Sequence, residues 1–132
     1  MRKVFVNGCF DVLHRGHLEL LKYAKSLGDI LYVAIDSDRR VGAAKGTTRP
    51  INATADRKFL LESIRYVDVV YVFDSKEELE GLIKGLNPDI MIVGSDWKGR
   101  TVIGSTFVED IRFFERIGEY STTAIIERFG DR

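Results

Sequence analysis

The chain of 132 residues has one cysteine, Cys9, so no disulfide can form within it, and that fits a reducing compartment. It has no excess of either charge: 20 Lys and Arg balance 20 Asp and Glu. The balance removes the general electrostatic reason to expect nucleic acid or an anionic membrane as partner, although charges can still be segregated into a local cationic pocket. Long apolar runs are missing too. Met1-Arg2-Lys3 leads into a short apolar segment broken at Asn7-Gly8, too short for a signal peptide or a membrane span. These features together predict a cytoplasmic protein. Two histidines and one cysteine are too few donors for a structural zinc site. Neither the phosphate-loop pattern G-x-x-x-x-G-K-[ST] nor the dinucleotide pattern G-x-G-x-x-G occurs. Internal repeats, low-complexity tracts and linkers are absent.

What is present suffices for one ordinary domain, expected over residues 1–132. The chain is 45% hydrophobic and 30% charged, enough to bury a core and stay in solution. Strand-like and helix-like patterns alternate. Val4-Phe5-Val6 reads as a first strand. Leu18, Leu21, Ala24 and Leu27 recur at helical spacing and are closed by Gly28. Ile30–Ile35 is a continuous apolar run of the kind found in buried parallel strands. Ala55–Ile64 is helical in pattern, Val67–Phe73 strand-like, Glu77–Leu86 helical and Ile90–Val93 a buried strand, with Asn87-Pro88 marking the break before it. Val102–Ile111 fits neither period. Arg112–Ile117 reads as a last strand and Thr122–Phe129 as a last helix. This alternation predicts an α/β fold, a single Rossmann-like parallel sheet flanked by helices. Ligands of such sheets bind beyond the carboxyl ends of the strands. Attention therefore falls on Gly8–His17, Asp36–Asn52, Gly94–Arg100 and the segment before the last helix.

The first of these reads Gly8-Cys9-Phe10-Asp11-Val12-Leu13-His14-Arg15-Gly16-His17. Glycine lets backbone amides approach a ligand. A helix start presents unpaired N–H groups and partial positive charge, a natural phosphate site. Histidine adds donors that change charge near neutral pH. The set suits stabilisation of charge on a phosphoryl oxygen. A pair of surface or capping histidines is the plainer reading, and Cys9, in an apolar run, reads as a small core residue. The run Gly-Cys-Phe-Asp-x-x-His-x-Gly-His resembles the signature of the cytidylyltransferase-like nucleotidyltransferases. Their shared H-x-G-H motif maps onto His14, Gly16 and His17.

The resemblance extends to the other segments. Tyr120-Ser121-Thr122-Thr123 could simply cap a helix. In the family, a segment of this form opens the last helix and contacts the nucleotide phosphates, and related enzymes carry a phosphate-binding arginine where Arg116 stands. Lys45-Gly46-Thr47-Thr48-Arg49-Pro50-Ile51-Asn52 reads as a Gly/Pro-containing loop, either solvated or able to close a cation over a triphosphate. The resemblance assigns Lys45 to the phosphates and Arg57 to the acceptor side. Gly94-Ser95-Asp96-Trp97 could cap a turn, with Trp97 a partly buried anchor; in relatives this segment lies at the base and ribose. Gly8, Cys9, Phe10, Asp11 and Gly16 join the nucleotide-binding set by the same resemblance, with Asp11 orienting the histidine loop or a metal-bound water. Glu62–Asp68 resembles a stretch of a homodimer interface.

Two branches of the family compete. The heptose 1-phosphate adenylyltransferase domain shares Asn7–Asp11, His14–His17, Lys45-Gly46 with Arg49–Asn52, Pro88–Ile90 and Ile103-Gly104. Glycerol-3-phosphate cytidylyltransferase shares the compact length, Arg57-Lys58, Arg65–Asp68 and Asp96–Gly99. Where heptose enzymes carry lysine and tyrosine, this chain has Val93 and Trp97, and it is too short to include the sugar kinase to which they are often fused. The resemblance thus implies transfer of a nucleoside monophosphate from ATP or CTP to a phosphorylated sugar or polyol, with pyrophosphate released and magnesium bridging phosphate oxygens through water. His14, His17, Lys45 and Arg116 would be catalytic. A nucleotide-binding module without catalysis, or an enzyme of the coenzyme-forming branch, would share the fold.

Overall fold

The computed structural model describes residues 1–46 and 48–115, with only the backbone at Asp96. In chain order the elements are β1 (Lys3–Gly8), α1 (Arg15–Ser26), β2 (Ile30–Asp36), α2 (Asp38–Lys45), α3 (Thr54–Glu62), β3 (Val69–Phe73), α4 (Lys76–Leu86), β4 (Ile90–Gly94) and β5 (Asp110–Phe114). Single 3-10 turns occupy Ser95–Trp97 and Ser105–Phe107. The strands form one sheet in the order β3-β2-β1-β4-β5, with every pairing parallel. The α/β reading of the sequence holds.

The order follows from burial. Val4, Phe5 and Val6 are buried on both faces, which only a central strand of a covered sheet allows. Strand period two then sorts the side chains. Val4, Val6, Leu31, Val33, Ile35, Ile90 and Ile92 point to one face and pack with Leu21 and Ala24 of α1 and Leu61 of α3. Phe5, Ala34, Met91 and Val93 point to the other and pack with Leu79 and Ile83 of α4. Each such aliphatic or aromatic side chain stabilises the fold by about 1.5–3 kcal/mol relative to exposure. The chain runs β1, β2, β3 outward in one direction, then returns to place β4 on the opposite side of β1. That reversal opens a crevice between β1 and β4 at their carboxyl ends.

Several elements differ from the sequence reading. The segment after β2 was expected as loop, but its first half is α2, capped by the Ser37 hydroxyl, which accepts from the Arg40 N–H at 3.3 Å. The helix buries only Val41, so its sequence carries almost no apolar period. Gly28 stands just past the end of α1, as the sequence predicts, but for a further reason. Leu27 is the cap, and a Cβ at Gly28 would lie 2.7 Å from Val4 Cγ2 and 2.8 Å from the Arg2 carbonyl oxygen; close approach to β1 is what demands glycine. The third strand begins at Val69 rather than Val67. Before it, the Asp68 carboxylate accepts from the Leu31 N–H at 2.7 Å and from Lys25 Nζ at 2.6 Å, and the Asp68 N–H donates to the Leu31 carbonyl oxygen at 3.1 Å, so side chain and backbone together hold the entry. Val102–Ile111 turns at Gly104, where φ is +80° and a Cβ would sit 2.3 Å from Ile83 Cδ1. The last strand is shifted towards the N-terminus, to Asp110–Phe114, and the expected helix Thr122–Phe129 lies outside the described residues. Among the described residues no helix is long and apolar enough to cross a membrane.

Candidate active site

His14 ends the β1–α1 connection and His17 lies in the first turn of α1, and their backbone roles fix their chemistry. His14 is the N-cap of α1: its Nδ1 accepts from the Gly16 N–H at 3.0 Å. In return, the His14 N–H donates to Nδ1 of His17 at 3.3 Å, closing a reciprocal capping box. The rings stack at 3.9 Å, tilted by 26°. An imidazole whose Nδ1 accepts a hydrogen bond carries its neutral-state proton on Nε2. Each ring can thus present an Nε2–H donor at the amino end of a helix, where partial positive charge already gathers. Burial, the neighbouring His14 and the charge of Lys45 push the His17 pKa down to about 4, so His17 is a neutral donor at pH 7. Gly16 is the residue whose amide the His14 cap consumes.

Phe10 and Asp11, grouped with the nucleotide loop by the sequence reading, face inward instead. Phe10 is buried, with φ +51°. Its ring lies 5.1 Å from that of His17 and folds over Gly8, where a Cβ would meet Phe10 Cε2 at 3.0 Å. Gly8 is required here so that Phe10 can support the histidine. Asp11 is buried as well. Its carboxylate accepts from the Ile51 N–H and the Asn52 N–H, each at 2.8 Å, and from Arg49 Nε at 3.3 Å. A buried carboxylate with three donors braces the histidine loop against residues 49–52. This leaves the carboxylate no access to a metal-bound water, one of the two roles read from sequence. Arg49 is itself only 10% exposed in its side chain, and its Nη2 is buried with no hydrogen-bond partner among the described residues.

Arg57 differs most from its expected place. The acceptor-side role needs access to solvent, and Arg57 is 0% exposed. Its guanidinium donates to the carbonyl oxygens of Asn52 at 3.0 Å and Cys9 at 2.9 Å, to Asp38 Oδ1 at 2.9 Å and to Thr54 Oγ1 at 3.2 Å. It ties β1, α2 and α3 together beneath the site. The arginine bond and those from Thr54 hold the Asp38 carboxyl below the usual range against the opposing cost of burial.

Beyond the strand ends lies a cleft of about 350 Å³. Gly8 of β1 and Cys9 just after it, Asp36 of β2, Phe73 of β3 and Gly94 of β4 reach it, as does Lys45. Lys45 is exposed and sits on the last turn of α2, not in a loop. It lines the cleft, and its charge acts on both His17 and Cys9. Cys9 is a free, partly buried thiol on the cleft wall, not a core residue; burial raises its pKa, so the thiol stays protonated at neutral pH. Trp97 is 48% exposed and stands at the cleft beside Gly94, more open than an anchoring tryptophan. Asp96 belongs to the 3-10 turn between them. Arg116, Ser121, Thr122 and Thr123 lie outside the described residues. Sequence reasoning missed Asp36 and Arg40, which also line the cleft; the available signal was the Ser37 cap, which turns the segment into a helix and brings Arg40 back over Asp36.

Comparison with known proteins agrees with this geometry. Residues 5–128 match the family described as cytidylyltransferase-like. The chain is 47% identical over 127 residues to the bifunctional protein HldE of a Nitratiruptor species, and 49% identical over 125 residues to the bifunctional protein HldE of Helicobacter pylori. Those alignments cover 96% and 95% of this chain but 27% of each relative, so the chain spans about a quarter of their length. Among solved structures, a lipopolysaccharide core biosynthesis protein from Thermoplasma volcanium superposes with a TM-score of 0.70 at 25% identity, over 92% of this chain and 99% of that one.

Proposed function

The chain belongs to the cytidylyltransferase-like family of nucleotidyltransferases, and from that membership we propose that it joins a nucleoside monophosphate to a small phosphorylated sugar or polyol. The observation that carries the reading is the histidine pair: two stacked imidazoles at a helix start, each with Nδ1 committed to backbone and so with its neutral-state proton on Nε2, within reach of the Lys45 charge. In the proposed step, a phosphate oxygen of the acceptor attacks the α-phosphorus of a nucleoside triphosphate in line. The bond from that phosphorus to the bridging oxygen breaks, and pyrophosphate leaves with the bonding pair. The nucleophile is already anionic, so positioning and charge neutralisation carry the catalysis and no strong general base is needed. His14 and His17 serve the α- and β-phosphates and the leaving group. Lys45 and Arg116 balance the triphosphate charge, Ser121, Thr122 and Thr123 hold its far end, and Gly94, Asp96 and Trp97 border the base and ribose. Magnesium would enter with the triphosphate and neutralise its phosphate oxygens, held mostly through water.

The resemblance to the heptose 1-phosphate adenylyltransferase domain favours ATP and heptose 1-phosphate; CTP and glycerol 3-phosphate are the second pair. The test is a matrix of both triphosphates against both acceptors with pyrophosphate as readout. Turnover with one pair is expected, and silence throughout would refute the transfer reading in favour of a non-catalytic module. The proposal includes a cytoplasmic homodimer. Phe59 and Leu60, 69% and 41% exposed on α3 just before Glu62–Asp68, support the dimer; sedimentation equilibrium reporting a monomer at micromolar concentration would refute it.

A further inference from the structure

We propose that Arg40 is the residue that binds the acceptor's phosphate, held in readiness by Asp36 and Phe73. This rests on the transfer reading above and adds the acceptor's place within the site. Arg40 lies on α2 one turn after Asp36. Its Nε donates to Asp36 Oδ2 at 3.3 Å, and its guanidinium carbon stands 5.2 Å from the centre of the Phe73 ring. These two contacts fix the plane of the guanidinium from its edge and its face. They leave both terminal amino groups without a bond to any described residue, on a side chain only 29% exposed. Arg40 lines the cleft together with Asp36, Phe73, Asn7, Lys45 and Trp97.

A half-buried guanidinium held by one carboxylate, with its terminal N–H groups unused, is built for a bidentate anion rather than for general attraction. The cleft carries two cations, Arg40 and Lys45, against one carboxylate, Asp36, so it favours an anion. Phe73 is buried beneath Arg40 and Trp97 borders the nucleotide, so the acceptor's sugar or polyol part is left to polar partners. The Asn7 amide and the second Asp36 oxygen, which bond no described residue, suit its hydroxyl groups. At about 350 Å³ the cleft is at the small end of ligand pockets. That size suits a sugar phosphate next to a triphosphate better than the whole triphosphate. Lys45, shared by the cleft and the histidine pair, would then face both phosphates across the reacting centre.

The test uses the intact chain with glycerol 3-phosphate, glucose 1-phosphate and a heptose 1-phosphate. For the best acceptor, Arg40→Gln should raise KM about 10- to 100-fold, the loss of a charge-assisted pair of bonds, while KM for the triphosphate stays within about two-fold. Arg40→Lys should recover only part, because it restores charge without the fork. Asp36→Asn should fall between wild type and Arg40→Gln. In calorimetry, Arg40→Gln should lose acceptor binding and keep binding of a non-hydrolysable triphosphate. A raised triphosphate KM with the acceptor KM unmoved would overturn the proposal, as would no change in either. Should no acceptor release pyrophosphate from wild type, the transfer reading fails and calorimetry alone decides. Acceptor binding that depends on Arg40 sustains the phosphate site, and no wild-type binding of any of the three phosphates overturns it.

Discussion

Replacing Asp11 by asparagine tests whether the histidine loop is held by its brace. The carboxylate is buried and takes three donors: the Ile51 and Asn52 N–H groups at 2.8 Å each and Arg49 Nε at 3.3 Å. Asparagine keeps the shape but has one oxygen, so its amide N–H groups must face a donor. At least one buried N–H then loses its acceptor, at about 1–3 kcal/mol. Arg49, 10% exposed in its side chain with Nη2 already unpartnered among the described residues, loses its counter-charge. Removing one member of such a buried pair costs about 3–5 kcal/mol. The two costs overlap, and we expect a total of about 3–5 kcal/mol. For a chain of this size that lowers Tm by roughly 10–15 °C. Urea unfolding followed by circular dichroism measures it, with the slope compared to wild type to exclude a change in the unfolded state. Arg49→Met should also cost about 3–5 kcal/mol, since the buried Asp11 charge is then left with only its two backbone donors. The double mutant should show a coupling of about 2 kcal/mol. An Asp11→Asn loss below about 1 kcal/mol would refute the brace.

Three further outcomes follow from the same geometry. His17→Ala should lower kcat by ~10²-fold or more with the fold intact, since one charge-stabilising donor is lost; near-normal turnover would remove His17 from the machinery. The His17 pKa is about 4 in the folded chain against a usual 6.5, so the unfolded chain binds a proton that the folded chain refuses. Stability should therefore be full above pH 6.5 and fall by at most about 3 kcal/mol as pH drops towards 4, and His17→Ala should flatten that slope in pH-dependent urea titrations. Arg57→Met should cost about 2–5 kcal/mol, about 1–3 kcal/mol for each of the Cys9 and Asn52 carbonyls that loses its donor, with little from Asp38, whose side chain is 50% exposed. If thermal unfolding shows a loss below about 1 kcal/mol, Arg57 is not the clamp described.

The sheet was legible because a strand buried on both faces must be written as an apolar run, and Val4–Val6, Ile30–Ile35 and Ile90–Val93 are such runs. The amphipathic helices were legible wherever one face is buried, as on α1 and α4. What stayed hidden was whatever one side chain or one glycine decides. The helix α2 buries only Val41, so its only sequence mark is the Ser37 cap. Gly28 looks like any helix-ending glycine until Val4 and the Arg2 carbonyl come within contact distance.

The same division runs through the site. By itself, the sequence determined that His14, Gly16 and His17 stand between a strand and a helix, because apolar spacing marks both neighbours and the motif sits at their junction. It also determined the residue types available for phosphate. Only the tertiary structure decided which charged groups face the cleft and which serve the scaffold. Asp11 and Arg57 read as site residues and are buried braces; Asp36 and Arg40 belong to no motif and line the cleft. Sequence records a group's charge, but its burial and its partners come from strands and helices distant along the chain. A carboxylate becomes a brace only when Ile51, Asn52 and Arg49 turn their donors towards it, and a guanidinium becomes a binding group only when its own fold leaves some of its N–H groups unused.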